Sequence, residues 1–315
     1  MTAIIATVVS IGAVGQAQEV AKASESAREE LHRQTIDEAV AQLRKGDLDG
    51  FYAKTKGLGT PGSVELRRYL EEPDAEVRKW VLIRSIELGM ERDGSIADPN
   101  TTQLLIKRLS GTDSDLAAIC RSYLERVMPQ AFDQETRKMM LPLVEELEKQ
   151  PTEVVLAMGV ANLEEAKPKL REIAANPPRG NLGIDWNAKK ALARMGDQHY
   201  AAEVVRKFKQ EMNPDKKYVR NLEELAYIGG NQAILALGEV LMSDDKAPIL
   251  GSESDVLHPV ACRVAPVMAK LIEDFPIKKT WYKEEDMPRL REWWSANRQR
   301  FKSPPEAPAA EPAAK

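Results

Sequence analysis

The chain has 315 residues, of which 43% are hydrophobic and 30% charged, a balance that excludes a chain disordered throughout. The 45 basic side chains are outnumbered by 49 acidic ones, and the net charge of −4 argues against a nucleic-acid-binding protein, which normally carries a basic surplus. Two cysteines, Cys120 and Cys262, are too few for a disulfide-stabilised small fold or a zinc module with several cysteines.

Residues 1–17 have the pattern of a secretory signal peptide. An uncharged apolar run over residues 3–14 precedes Gly15 and Ala17, small residues that suit a cleavage site. As a helix this run reaches only about 18 Å, short of the hydrocarbon core of about 30 Å, so it is too short for a stable transmembrane span. We therefore expect an exported protein, periplasmic or in the cell envelope, with no membrane span in the mature chain. Because no Lys or Arg precedes the run, a buried or frayed helix of a cytoplasmic protein stays the alternative.

Residues 18–60 are predicted to form an N-terminal helical segment, and helical spacing continues after it. From Val77 to Leu88, and again from Leu104 to Leu109, apolar residues recur at intervals of three and four. No stretch alternates apolar and polar residues as a half-buried strand does, and no Asn-Gly or Asp-Gly turn joins two such stretches. The sequence therefore predicts an all-α fold without a sheet.

Glycines recur at the predicted ends of similar helical segments. They are separated by 70, 37 and 33 residues, and a further helical segment over residues 104–128 divides the longest interval. One repeat is thus about 31–39 residues long and holds two helices. Such a pair cannot bury its apolar side alone, whereas stacked pairs share one core. The four glycines are Gly89, Gly159, Gly196 and Gly229.

The residues in these repeats resemble the HEAT repeat, in the short bacterial form also found in phycobilin-lyase-like proteins. In the best match, a turn with Pro73 and Asp74 precedes Val77, Arg78 and a second helix that ends at Gly89. Degenerate forms of the same pattern run over residues 184–197 and 214–229.

This resemblance implies an α-solenoid of about five HEAT-like helical hairpins over residues 61–275, with second helices that line a concave surface. HEAT-like proteins mostly act as scaffolds, inhibitors or adaptors. The resemblance therefore implies a non-enzymatic protein that binds a protein partner on its concave helical surface. A HEAT-like enzyme of the lyase or glycosylase type and a structural spacer of the cell envelope are the alternatives. We expect a monomer without a cofactor.

No motif for catalysis, metal binding or cofactor binding stands out. The Rossmann, P-loop and nucleophile-elbow glycine patterns do not occur. The two cysteines lie among apolar residues on predicted helices, which favours buried unreactive thiols over a disulfide. The three histidines are more than 50 residues apart and lack metal-ligand spacing, so we expect surface or turn positions for them. They are His32, His199 and His258.

Two arginines, Arg78 and Arg220, each follow a valine that is predicted to be buried. Because guanidinium groups suit carboxylates, we expect each arginine to pair with a carboxylate across the repeat stack. Contact with a partner protein is the alternative for both residues.

Residues 276–302 are predicted to form a Trp-rich capping helix region. Five of the chain's 17 aromatic residues lie between positions 281 and 301, and residues 276–302 hold eight basic and four acidic side chains. The last repeat of a solenoid needs a helix with one apolar face, which this spacing of aromatic residues can supply. Trp and Tyr are also frequent in interface hot spots, so four of them are candidate partner contacts. These are Trp281, Tyr282, Trp293 and Trp294.

The last 13 residues, 303–315, hold four prolines and no large apolar side chain. Such a segment cannot bury enough surface to offset the entropy lost on ordering. We therefore expect a flexible Pro/Ala tail.

Overall fold

The fold is all-α, as predicted, in a computed structural model that describes most of the chain. The chain divides into two compact units, Met1–Met139 and Met140–Lys315, here called the N-terminal and C-terminal units. The expected signal peptide and the expected tail lie outside the described residues. The described residues are 27–302 without 28, 110, 112, 181–182, 212–221 and 249–256.

Seven α-helices begin in the described part of the N-terminal unit, and the last of them continues into the C-terminal unit. Short 3-10 helices follow α3 at Arg67–Tyr69 and α6 at Pro129–Ala131. The seven α-helices are α1 (29–44), α2 (Leu48–Thr55), α3 (Gly59–Leu66), α4 (Ala75–Leu88), α5 (Pro99–Leu109), α6 (Ser114–Leu124) and α7 (Gln134–Glu145).

The C-terminal unit continues with eight further α-helices and one two-stranded ribbon among the described residues. Its 3-10 helices are Leu147–Lys149, Glu164–Ala166, Glu284–Asp286 and Arg298–Phe301. The α-helices and strands are α8 (Thr152–Val160), α9 (Lys167–Ala175), α10 (Ile184–Arg194), α11 (Gln198–Glu211), α12 (Leu222–Ile228), α13 (Gly230–Met242), β1 (Lys246–Pro248), β2 (Leu257–Pro259), α14 (Ala261–Leu271) and α15 (Met287–Asn297). None of the helices in this described part of the chain, or in that of the N-terminal unit, has the length and apolar character that a bilayer crossing needs.

Aspartate side chains begin three successive helices of the N-terminal unit. Asp74 accepts hydrogen bonds from the first N–H groups of α4, Asp98 from those of α5, and Asp113 from those of α6. These N–H groups have no partner within their own helix, so the caps stabilise the helix starts.

Neighbouring helices pack as pairs, and the pairs contact one another in chain order. In the N-terminal unit α3 packs on α4, α5 packs on α6, and α4 contacts α6. In the C-terminal unit α8, α10, α12 and α14 contact one another in succession, and α11 contacts α13. Buried apolar residues from α10 to α15 form one continuous core.

Many side-chain hydrogen bonds between these helices join residues that lie 33 to 38 positions apart in the sequence. Equivalent positions of consecutive helix pairs are therefore neighbours. Twelve α-helices lie between Gly59 and Leu271 in the part of the chain that the structure describes, so consecutive helices make six pairs where five hairpins are predicted. The predicted boundary at residue 60 falls inside α3.

The prediction that Gly159 ends a helix is wrong, because α8 continues to Val160. A Cβ atom on Gly159 would lie 2.8 Å from the Cα atom of Ala191 in α10 and 2.3 Å from the hydroxyl oxygen of Tyr227 in α12. Glycine is therefore needed here for the close approach of neighbouring helices. Gly196 does follow the end of α10, with a φ of +90° that a residue with a Cβ atom rarely adopts.

The prediction of no sheet is also wrong in one place. Strands β1 and β2 pair antiparallel, with Lys246 opposite Pro259 and Pro248 opposite Leu257. Each strand has three residues, one of them proline, so neither shows the alternation by which strands are recognised in a sequence.

Candidate functional site

Arg78 makes the cross-repeat contact that the sequence predicts. Its guanidinium group donates to the backbone oxygens of Glu72 and Pro73, at 2.7 and 2.9 Å, and lies 3.2 Å from the carboxylate of Asp113. The pKa of Asp113 is lowered, chiefly by a backbone N–H at the start of α6 and further by Arg78. Arg78 thus joins α4 to the next helix pair, which makes it a weak candidate for partner contact. Arg220 lies outside the described residues.

Three of the four candidate aromatic residues serve packing. Tyr282 and Trp294 are only 2% and 3% exposed. Trp294 stacks on Phe301 with 5.6 Å between ring centroids, and the half-buried Trp293 meets Phe275 edge to face at 5.3 Å. These contacts place α15 on α13 and α14, as expected of a helix that covers the end of an array.

A glycine in the middle of α13 accommodates this packing. A Cβ atom on Gly238 would lie 1.9 Å from the Cζ2 atom of Trp294, so only glycine leaves room for the indole ring against the helix backbone. The sequence contains this glycine, but only the tertiary structure shows which side chain fills the space.

Trp281 is the exception among the four aromatic residues. It is 65% exposed, more than any other large hydrophobic residue in the described part of the chain. An exposed indole on an ordered loop is the type of side chain that dominates protein interfaces, because it offers a large apolar area with little conformational entropy to lose. Trp281 is therefore the best candidate for a partner contact.

The loop that displays Trp281 is fixed from within. The buried hydroxyl of Tyr282 donates to the backbone oxygen of Ile277 at 2.5 Å and accepts a hydrogen bond from the backbone N–H of Lys279 at 3.2 Å. These two bonds close the chain over residues 277–282. Trp281 is thus held outward by its buried neighbour, which lowers the entropy cost of binding through it.

Asp286 fixes the same loop from the other side. Its carboxylate lies 2.7 Å from the Lys279 ammonium and accepts the backbone N–H of Lys283 at 3.0 Å. The pKa of Asp286 is lowered, chiefly by its hydrogen bond to Lys279. The carboxylate is therefore ionised at neutral pH, and both bonds are present there.

Part of the basic excess of residues 276–302 is engaged inside the C-terminal unit. Arg291 donates to the backbone oxygens of Leu241 and Ser243 and forms an ion pair with Asp244 at 2.8 Å. Arg300 forms an ion pair with Asp274 and lowers the pKa of that carboxyl group. These arginines tie the last helices to the preceding ones, so the basic side chains here are largely structural.

The cysteines and histidines are dispersed. Both cysteines are free thiols, and burial raises the pKa of Cys120 to about 12, so it is a poor nucleophile. Burial also raises the pKa of the partly buried Cys262. No group of three or more metal-ligating side chains occurs among the described residues. His199 is exposed, and His32 and His258 are half-buried.

The largest feature that the sequence analysis missed is a cleft of about 340 Å³ in the N-terminal unit, beside α5. Its basic side chains come from the turn after α3 and from the last turn of α5, so some 40 residues separate them in the sequence. Only their separation by one repeat length hints that they meet. These basic residues are Arg67, Lys107 and Arg108.

Comparison with known proteins leaves the geometry as the main guide to function. The chain matches no protein-family model, no curated protein and no solved structure.

Proposed function

We propose that this chain is a HEAT-type α-solenoid scaffold or adaptor that holds a protein partner by non-covalent contacts and carries out no chemical step. The proposed array has six helix pairs, from α3 to α14, covered at one end by α15. Following the signal-peptide pattern, we also propose that it acts as an exported monomer.

Support for the repeat array comes from hydrogen bonds between consecutive pairs. In the C-terminal unit the Nε1 atom of Trp186 donates to Glu224 at 2.9 Å, the Lys190 ammonium lies 3.3 Å from the same carboxylate, and Arg194 donates to the backbone oxygen of Tyr227 at 2.5 Å. The three donors lie one helical turn apart on α10, and all acceptors belong to α12. A stripe of polar contacts thus accompanies the shared apolar core, as in stacked helical repeats.

The observation that carries partner binding is the display of Trp281. Monomeric proteins normally bury an indole, and here the neighbouring Tyr282 is buried to hold Trp281 65% exposed. A partner that covers this side chain and extends over the neighbouring helices would gain a hot-spot anchor at small entropy cost.

Site-specific photocrosslinking in the native host tests this proposal. We expect a photoreactive phenylalanine at position 281 to capture one predominant protein. The same residue in place of Leu31, which is 62% exposed in α1, should not capture it. Trp281→Ala should weaken the captured complex at least tenfold, whereas the control Leu257→Ala, at an exposed position of β2, should not. Identical adducts from positions 281 and 31, or equal affinity of Trp281→Ala, would contradict the proposal.

A further inference from the structure

The cleft beside α5 combines apolar walls with basic side chains. The 3-10 turn Arg67–Tyr69, the residues after it and α5 form its two sides, and one residue of α7 completes it. A volume of about 340 Å³ lies within the range of about 300–1,000 Å³ that is usual for small-molecule sites. The lining residues with apolar side chains are Leu70, Leu104 and Met139.

The charge in this cleft is opposite in sign to that of the whole chain. Three cationic side chains, Arg67, Lys107 and Arg108, face one carboxylate, Glu71. The amides of Asn100 and Gln103 complete the polar lining. A basic cleft in a protein with a net charge of −4 favours small anions over polyanions, which the remaining surface would repel.

Arg67 has no acidic partner within hydrogen-bonding distance among the described residues. It donates to the backbone oxygen of Asn100 and the hydroxyl of Ser63, both at 3.2 Å, and to the hydroxyl of Thr101 at 3.4 Å. All three acceptors are neutral. The carboxylate of Asp98 is engaged in capping α5, where it accepts hydrogen bonds from the first N–H groups of that helix.

Burial makes this arrangement costly. The Arg67 guanidinium is held partly out of water, which lowers its pKa, yet an arginine side chain stays protonated in proteins. A partly buried cation without a counter-charge is unfavourable, and an anion bound beside it would remove the penalty.

Arg108 has a partner that can leave. One terminal nitrogen of its guanidinium lies 2.6 Å from the Glu71 carboxylate, but the Glu71 side chain is 81% exposed. The Nε atoms of Arg67 and Arg108 are buried and have no acceptor in the described part of the chain. Each such donor costs free energy until an acceptor reaches it.

We propose that the cleft binds a small oxyanion, the phosphate or carboxylate group of a small organic ligand, between Arg67 and Arg108. Guanidinium groups suit these anions because their N–H donors match two oxygens at once. Lys107, which is exposed, adds charge at the rim. The apolar walls then contact the carbon skeleton of the ligand. This site is independent of partner binding at Trp281, because the two lie in different units.

Calorimetric titration of the full chain tests the proposal, with inorganic phosphate and citrate as probes at constant ionic strength, so that general screening by salt stays fixed. We expect saturable binding of at least one probe. A phosphate preference would assign the site to phosphorylated ligands, and a citrate preference to carboxylates. Arg67→Gln and Arg108→Gln should each weaken binding at least tenfold, and Lys107→Gln less.

The matched control is Arg92→Gln, which removes the same charge from an exposed position of the N-terminal unit and should leave affinity unchanged. If Arg67→Gln does not fold, Arg108→Gln and the exposed Lys107→Gln decide the matter. Absence of saturable binding to both probes would overturn the proposal. So would affinity that Arg92→Gln lowers as much as Arg108→Gln does.

Discussion

The stack of α8, α10 and α12 and the cleft beside α5 use contacts one repeat apart in opposite ways. In the stack, Lys190 and Arg194 each find an acceptor on the next pair, the carboxylate of Glu224 and the backbone oxygen of Tyr227. In the cleft, Arg67 also reaches the next pair, but it meets only neutral oxygens there. Cross-repeat contacts therefore close one interface and leave cationic donors for a ligand in the other.

Breaking the closed stack should have the largest effect. Leu192 of α10 is fully buried, so Leu192→Asp places an unpaired carboxylate in the core and should lower the free energy of unfolding by about 3–5 kcal/mol. Denaturant unfolding measures this loss. Leu31→Asp, the same change at an exposed helical position, should cost less than about 0.5 kcal/mol. Equal costs for both variants would contradict the buried position of Leu192.

A pair of arginine substitutions tests the comparison directly. Arg194→Met removes a charged donor from the 2.5 Å hydrogen bond to Tyr227 and should cost about 1.5–3 kcal/mol. Arg67→Met removes an uncompensated cation, so its net cost should stay below about 0.5 kcal/mol and can be negative.

Chemical denaturation of both variants is the measurement, and Arg206→Met, at an exposed position of α11, is the control for loss of an arginine. Should Arg67→Met destabilise as much as Arg194→Met, the role of Arg67 would be structural and the contrast between the two regions would disappear.

The smallest expected effect concerns the hydroxyl of Tyr227, which donates to the backbone oxygen of Leu156 in α8 at 2.6 Å. Tyr227→Phe should cost about 1 kcal/mol at neutral pH, because that oxygen loses its donor. Tyr200→Phe is the control, since the hydroxyl of Tyr200 makes no hydrogen bond to any residue that the structure describes.

This cost should depend on pH in one direction. Burial raises the pKa of Tyr227, so its contribution is complete below the pKa of about 10 of an unfolded tyrosine and is lost as the pH rises beyond it. The stability difference between the wild type and Tyr227→Phe should therefore shrink in alkaline solution. A difference that stays constant up to pH 11 would show that the hydroxyl is not held in its neutral form.

The helical class and the repeat length can be predicted from sequence because both depend on local spacing. Apolar residues three and four apart determine which side of α4 is buried, and Val81, Leu82 and Ile86 are fully buried there. The interval of 31–39 residues predicted from the glycines agrees with the 33–38 residues that separate hydrogen-bonded side chains of consecutive pairs.

What the sequence cannot supply depends on which side chains meet. Gly159 and Gly196 end similar tetrapeptides, yet one allows helices to approach and the other allows a backbone turn. The cleft likewise depends on Arg67 and Arg108 meeting across two helix pairs, although each alone has the pattern of an ordinary surface arginine. Trp281 and Tyr282 are adjacent in sequence, but only packing decides which of them is exposed.

The reach of Tyr227 limits how this protein can change its length during evolution. Modular arrays gain or lose a copy easily when each module touches only its immediate neighbours. Here a phenol from one module passes the next and bonds to the module beyond, 71 positions earlier, through a gap kept open by Gly159. Deleting or duplicating the intervening module would leave that phenol facing the wrong backbone, so this stretch is expected to be inherited as a block of three.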